Sequence, residues 1–95
     1  SKIKDVIRYL KSYSVELKAY DPLISEQEIK SFGIESHDEK EKYDAIIVFS
    51  PHEIFKEMTL DKLKNISTEK PIIIDIKSFY NKKEAEEKGF FYKTL

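Results

Sequence analysis

The chain has 95 residues, and its 17 lysines and arginines nearly balance its 18 aspartates and glutamates, for a net charge of −1. A nearly neutral chain has no field that would concentrate it on nucleic acid, which argues against that class of partner. The absence of cysteine excludes disulfides, thiolate metal sites and thiol nucleophiles, and it is compatible with a reducing cytoplasm. No apolar run approaches the roughly 20 residues that span a bilayer, so no membrane segment is expected.

The first part of the chain alternates helix and strand patterns. Apolar residues at helical spacing predict a helix over residues 3–13, and an apolar–charged alternation predicts a strand over residues 15–19. Ser25, with a glutamate three residues later, has the pattern of a capping box and predicts a second helix that ends at Gly33. Residues 34–36 are expected to form a short edge strand.

The middle of the chain contains a buried strand followed by a helix start. Residues 45–49 (AIIVF) are continuously apolar, which is typical of a strand covered on both faces. Ser50 at the N-cap and Pro51 at the first helical position predict a helix through Met58. Thr59 is expected to cap another short helix.

The last part repeats the alternation. Pro71 opens residues 72–76 (IIIDI), which are apolar except for Asp75 and predict a second buried strand. Asn81 is expected to cap a charged helix that ends at Gly89, and residues 90–92 to form a last edge strand.

Strands that alternate with helices predict an α/β fold of three layers, with a mainly parallel sheet and helices on both faces. The length indicates a single domain over residues 1–95. Ligands bind such sheets beyond the carboxyl ends of the strands. Three segments are therefore candidate parts of a site: residues 21–22, 50–52 and 75–78.

Four residues in these segments are candidate ligand contacts. Ser50 and His52 lie at a predicted helix start, where free N–H groups attract phosphate, with simple capping as the alternative. Lys77 would bring a point charge with three donors to a pyrophosphate, with a solvated lysine as the alternative. Asp75 lies near the end of a predicted buried strand. We expect its carboxylate to contact a ligand, with capping of the following loop as the alternative.

Other kinds of site have less support. The two glycines both lie at predicted helix ends, so there is no glycine-rich phosphate loop. Asp75 is similar in position to the phospho-acceptor of a response-regulator receiver, but that fold needs a pair of acids after its first strand, and only Asp21 is found there. His37 and His52 lie on different elements, and no metal site is expected.

Four stretches and a closing segment are similar to a known family. The stretches are VELKAYDP (15–22), YDAIIVF (43–49), SPHEIF (50–55) and PIIIDIK (71–77), and the closing segment covers residues 83–92. In order and spacing they resemble the C-terminal UDP-binding domain of the UDP-glucose/GDP-mannose dehydrogenase family. The lysine of DIK and the SPHEIF turn are more similar to the branch that oxidises UDP-N-acetylhexosamines than to the UDP-glucose branch.

The resemblance implies a Rossmann-like domain that binds a UDP-sugar as part of a cytoplasmic parent dehydrogenase. The full-length enzyme would oxidise the sugar C6 alcohol to a carboxylate in two NAD⁺-dependent steps, for polysaccharide precursors. Lys77 occupies the place of the family's basic residue that reaches the substrate or its phosphates. The family's NAD-binding loop and catalytic cysteine lie upstream of this region, so no cofactor is expected to bind this chain alone.

The resemblance also implies a missing strand. The family's domain opens with a strand and a G-x-x-F-K loop just before the helix that begins near Ile3, and we expect this chain to lack them. Because that strand is usually central, the strands near Val15 and Ala45 would each have an edge without a partner. Such edges favour a homo-oligomer.

Two other functions stay open. The chain is alternatively a free-standing module that binds a nucleotide or nucleotide sugar without chemistry, or an α/β interaction domain without a ligand. A thermal-shift screen with nucleotides distinguishes these two.

We expect the purified 95-residue chain to form no NADH from NAD⁺ and any UDP-sugar, because it has no cysteine and no dinucleotide-binding glycine loop. The measurement is NADH absorbance, with a full-length dehydrogenase of the family assayed in parallel. NADH formation by this chain would overturn the expectation.

Overall fold

The computed structural model describes residues 2–49, 51 and 53–95, without the side chain of residue 54. The elements in chain order are α1 (Lys2–Lys11), β1 (Lys18–Ala19), α2 (Glu26–Ser31), β2 (Glu35–Ser36), β3 (Tyr43–Val48), a 3₁₀ helix (Glu53–Glu57), α3 (Leu60–Asn65), β4 (Ser67–Asp75), α4 (Lys82–Glu87) and β5 (Phe91–Thr94). All strand pairs are parallel, which confirms the α/β class. Among these residues, no helix has the length and apolar character needed to cross a membrane.

The chain forms two compact units, Ser1–Asp38 and Glu39–Leu95, called here the N-terminal and C-terminal units. In the N-terminal unit, β1 pairs with β2. Ile7 of α1 and Ile29 of α2 belong to its buried core. The Ser25 hydroxyl accepts a hydrogen bond from the backbone N–H three residues later at 3.1 Å, so the predicted cap of α2 is confirmed.

In the C-terminal unit, β4 lies between β3 and β5. Helices α3 and α4 supply Leu63 and Ala85 to a core cluster that also contains Ile73 of β4 and Tyr92 of β5. Ile73 is fully buried. Burying such a side chain contributes about 1.5–3 kcal/mol relative to leaving it exposed, so this cluster is the main source of stability in the unit.

Two of the helix caps predicted in the C-terminal unit, at Thr59 and Asn81, are confirmed. The Thr59 hydroxyl accepts a hydrogen bond from the Lys62 N–H at 3.2 Å. The Asn81 side-chain oxygen accepts one from the Glu84 N–H at 2.8 Å. Capping depends on residues only three apart, which is why the sequence predicts it well.

The other face of the three-stranded sheet is less covered than the apolar runs predict. Ile47 is 37% exposed, Ile72 38% and Phe91 67%. The core cluster instead takes the alternate residues of the strands, such as Ile73 and Tyr92. A continuously apolar run therefore does not by itself show that both faces of a strand are covered.

Strand β4 is longer than predicted, because it begins at Ser67 rather than at Pro71. Its register against β3 shifts between the pair Tyr43–Ser67 and the pair Ala45–Ile72. Proline is tolerated in a strand at such an irregularity, where its missing N–H removes no regular ladder bond.

The α-helix predicted from Pro51 through Met58 is wrong for the described residues. They form a 3₁₀ helix, Glu53–Glu57, and the Met58 N–H donates to the Phe55 carbonyl at 2.8 Å. That bond spans three residues rather than four, as in a 3₁₀ helix.

Strand β3 lies at an edge of its sheet and, among the described residues, pairs only with β4. Residues 45–48 contain neither proline nor charge, and an apolar edge of this kind favours pairing with another chain.

We therefore expect the chain to self-associate at high concentration and Ile47→Lys to reduce the association, because a lysine on an edge opposes strand pairing. Light scattering across a wide concentration range gives the mass. The matched control is Leu23→Lys, at an exposed leucine of the N-terminal unit. A strictly monomeric mass for the unmodified chain contradicts the prediction.

Candidate functional site

Three parallel strands end together in the C-terminal unit. Val48 of β3 is opposite Asp75 of β4, and Asp75 is opposite Thr94 of β5. The Ile76 N–H donates to the Val48 carbonyl at 3.0 Å, which holds the start of the loop after β4 beside the end of β3. This end of the sheet, called the carboxyl edge, is where open parallel sheets bind ligands.

Asp75 is fully buried, and its carboxylate holds the loop that follows β4. Oδ1 accepts a hydrogen bond from the Phe79 N–H at 2.9 Å. Oδ2 accepts from the Tyr80 N–H at 2.8 Å and from the Tyr92 hydroxyl at 2.6 Å. These bonds replace the water lost on burial. Both oxygens are thus engaged in capping the loop, which is the alternative to a ligand contact that the sequence left open.

Two tyrosines that the sequence patterns did not single out complete this network. The Tyr92 hydroxyl also lies 3.0 Å from the Tyr80 carbonyl, but its one proton favours the closer Asp75 oxygen. The Tyr80 hydroxyl donates to the Met58 carbonyl at 2.6 Å. An aspartate in an apolar run needs donors, and a buried tyrosine needs a hydrogen-bond partner. The sequence shows that the Asp75 carboxylate needs hydrogen-bond donors, but it does not show which tyrosine supplies one.

Burial raises the pKa of both phenols. It raises the pKa of Tyr80 to about 12, and the negative charge of Asp75 acts in the same direction. Burial also raises the pKa of Tyr92, aided by its hydrogen bond to Asp75 and by the charge of that carboxylate. Both hydroxyls therefore stay hydrogen-bond donors to a higher pH than an exposed tyrosine does.

Lys77 is exposed on the loop that Asp75 holds. No hydrogen bond or ion pair joins its ammonium to another residue in the described part of the chain. The next residue, Ser78, has a left-handed backbone with φ of 53°, and its hydroxyl lies 2.7 Å from the Thr94 hydroxyl. The loop is fastened to its surroundings while the Lys77 ammonium is available to an anion.

Of the four candidate contacts, Asp75 and Lys77 are thus brought to the carboxyl edge. Ser50 and His52 lie outside the described residues. The expectation of an α-helix start beside them is corrected, because the following element is a 3₁₀ helix of five residues (Glu53–Glu57). The argument from an α-helix dipole at that point therefore no longer applies.

The remaining candidates lie in the N-terminal unit and serve local structure. The Asp21 carboxylate accepts a hydrogen bond from the Leu23 N–H at 2.9 Å, which closes a turn. The His37 ring packs edge-on against Tyr20, with 4.7 Å between centroids. Within residues 2–49, 51 and 53–95, no group of three acidic or histidine side chains is arranged to hold a metal ion.

Parallel strands connected through helices define a Rossmann-like α/β domain. The family described as UDP-glucose/GDP-mannose dehydrogenase family, UDP binding domain, matches residues 1–82. The chain therefore belongs to the UDP-glucose/GDP-mannose dehydrogenase family, which confirms the resemblance found in the sequence.

Two curated relatives are both UDP-N-acetyl-D-glucosamine 6-dehydrogenases. A UDP-N-acetyl-D-glucosamine 6-dehydrogenase of Salmonella typhi is 31% identical over 80 residues, which cover 81% of this chain and 19% of the relative. The relative from Pseudomonas aeruginosa is 24% identical over 92 residues, which cover 90% of this chain and 21% of the relative. The chain thus spans about a fifth of the length of these relatives. No solved structure matches the chain significantly.

We expect the free energy of unfolding to fall as the pH rises from 10.0, the ordinary pKa of tyrosine, towards about 12, the pKa of Tyr80 in the fold. The unfolded chain loses this proton first, so the stabilisation is complete below the unfolded pKa and is lost as the pH rises through the folded one. Urea unfolding at a series of pH values should show a shallower decline for Tyr80→Phe. The control is Tyr20→Phe, at a tyrosine 45% exposed. Equal slopes in all three proteins would contradict this assignment.

Proposed function

We propose that this chain binds the UDP moiety of a UDP-sugar at the carboxyl edge, with Lys77 contacting the diphosphate. The observation that carries the proposal is the exposed Lys77 ammonium, on a loop fastened at the end of the central strand β4. A lysine ammonium is a compact charge with three donors, which suits phosphate oxygens. The match to a domain described as UDP binding supports the same ligand.

The other candidates take different places in this proposal. Asp75, predicted as a substrate contact, is proposed instead to support the loop, because both carboxylate oxygens already bind protein donors. Ser50 and His52 stay predicted contacts. They follow β3, whose last residue, Val48, pairs with Asp75. They are therefore expected at the same end of the sheet as Lys77.

The substrate we propose is a UDP-N-acetylhexosamine. The support is that both relatives described above are named UDP-N-acetyl-D-glucosamine 6-dehydrogenase. In the full-length parent enzyme, the sugar C6 alcohol would be oxidised to a carboxylate in the cytoplasm, for polysaccharide precursors. This chain would contribute binding and orientation of the nucleotide.

NAD, which the family's chemistry requires, does not fit the residues of this chain. A dinucleotide-binding loop places glycines between a strand and the N-terminus of a helix. Gly33 and Gly89 instead follow α2 and α4, with positive φ values of 80° and 94°. Their N–H groups donate to the Lys30 and Glu86 carbonyls, as expected at helix C-termini. We therefore expect the residues that would hold NAD to lie elsewhere in the parent enzyme.

We expect Lys77→Ala to weaken the binding of UDP and of UDP-N-acetylglucosamine by about 1.5–3 kcal/mol, the range for a hydrogen bond to a charged group. The melting temperature should hardly change, since the side chain is exposed. Calorimetric titration of the 95-residue chain, and of its full-length parent, measures the affinity. The matched control is Lys70→Ala, which makes the same change at an exposed lysine on the amino-terminal side of Pro71 in β4.

Equal affinity for the Lys77→Ala protein and the unmodified chain would contradict the proposed contact. If the unmodified chain binds neither ligand, the binding proposal for this chain fails and the interaction-domain alternative is favoured. A parent reading frame that encodes neither a dinucleotide-binding glycine loop nor a catalytic cysteine upstream of these residues would favour the free-standing nucleotide module.

A further inference from the structure

The loop that carries Lys77 is fastened mainly from β5. The Tyr92 hydroxyl donates to the Asp75 carboxylate, and the Thr94 hydroxyl lies within hydrogen-bond distance of the Ser78 hydroxyl. Tyr92 and Asp75 are 17 residues apart in the chain. Tyr92, which lies outside the loop, therefore binds the Asp75 carboxylate, and that carboxylate determines the shape of the loop.

Tyr92 fixes the rotation of the Asp75 carboxylate. The terminal torsion of aspartate is broad, so the position of the two oxygens depends on the donors around them. Two of those donors, the Phe79 and Tyr80 N–H groups, belong to the loop itself. The Tyr92 hydroxyl is the donor that comes from another strand, and its 2.6 Å bond anchors Oδ2 to β5.

The loop needs such an anchor because its backbone is strained. Ser78 has φ of 53°, in the left-handed region that is unfavourable for a residue with a Cβ atom. Lys77 and Ser78 are both exposed, so little packing holds them. Without the hydrogen bonds to Asp75, the loop would favour other backbone conformations, and the Lys77 ammonium would be distributed over a larger volume.

We propose that Tyr92 is a positioning residue for nucleotide binding, which acts through Asp75 to hold the loop so that Lys77 faces the diphosphate. This inference rests on the proposed function. Tyr92 lies beyond residues 1–82, the part that matches the family, and within the described residues its hydroxyl contacts the Asp75 carboxylate and the Tyr80 carbonyl rather than Lys77. Its effect on the ligand passes through the buried carboxylate.

The test compares two tyrosine-to-phenylalanine variants of the full 95-residue chain. Tyr92→Phe keeps the ring in the core cluster and removes the donor to Asp75. Tyr80→Phe makes the same chemical change at a ring that packs on the same cluster, but its hydroxyl binds the Met58 carbonyl instead. Each variant loses one hydrogen bond, a part-buried one to a neutral carbonyl in Tyr80→Phe and a buried one to a carboxylate in Tyr92→Phe. Urea unfolding of each variant therefore gives the loss of stability with which its affinity is compared.

We expect Tyr92→Phe to weaken UDP affinity about tenfold, as for loss of one charge-assisted interaction, and Tyr80→Phe to leave the affinity within about twofold. In the Lys77→Ala background, Tyr92→Phe should have no further effect on affinity, because its influence passes through that lysine. Amide hydrogen exchange of Phe79 should quicken in Tyr92→Phe and not in Tyr80→Phe. A purely structural role for Tyr92 predicts neither the non-additivity nor the selective exchange.

The outcomes separate this inference from the proposed function. If Lys77→Ala weakens UDP binding while Tyr92→Phe does not, the positioning role is wrong and the proposed function stands. If the unmodified chain does not bind UDP, both are overturned. Additive effects of Lys77→Ala and Tyr92→Phe also overturn the positioning role. Asp75→Asn, which keeps the volume and removes the charged acceptor, is the second variant should Tyr92→Phe not fold, and it should weaken UDP binding in the same non-additive way.

Discussion

A carboxylate inside a protein has lost its hydrogen bonds to water, and the surrounding chain must supply replacements. At Asp75 the replacements are two N–H groups from the next five residues and one hydroxyl from β5. Satisfying this one group turns the chain sharply after β4 and holds Ser78 in its left-handed conformation. The position of Lys77 follows from that turn. The chemistry available at the carboxyl edge thus depends on a residue that itself has no exposed surface.

The same strand provides both the core and this polar anchor. Side chains alternate along a strand, so Ile73 and Asp75 lie on one face of β4. Ile73 packs in the core cluster, and Asp75 extends the same buried face to the end of the strand. Tyr92 joins the two regions, because its ring belongs to the cluster and its hydroxyl to the carboxylate network. An aromatic residue with a polar tip is well suited to such a boundary.

Binding and chemistry are separated in the proposed function. The chain corresponds to about a fifth of the length of the dehydrogenases it matches, and its glycines terminate helices rather than form a dinucleotide-binding loop. What the C-terminal unit offers is a cation on a fastened loop at the end of a parallel sheet. In the proposed function, this arrangement would recognise the nucleotide diphosphate and so orient the sugar for groups elsewhere in a parent enzyme.

The sequence by itself determined the features that depend on neighbouring residues. The caps at Ser25, Thr59 and Asn81 form between residues three apart, and the alternation of elements fixed the α/β class with parallel strands. The ordered motifs also gave the family and drew attention to Asp75 and Lys77, because a polar residue after an apolar run marks the end of a buried strand.

Tertiary structure decided what depends on distant partners. The 3₁₀ geometry of Glu53–Glu57, the early start of β4 and the partly exposed face of its sheet arise from pairing and packing that local patterns do not contain. The role of Asp75 was likewise open in the sequence, since a ligand and a loop are equally able to satisfy a carboxylate. Only the fold brought Tyr92 within 2.6 Å of it, because that contact joins two strands whose register is fixed by long-range pairing.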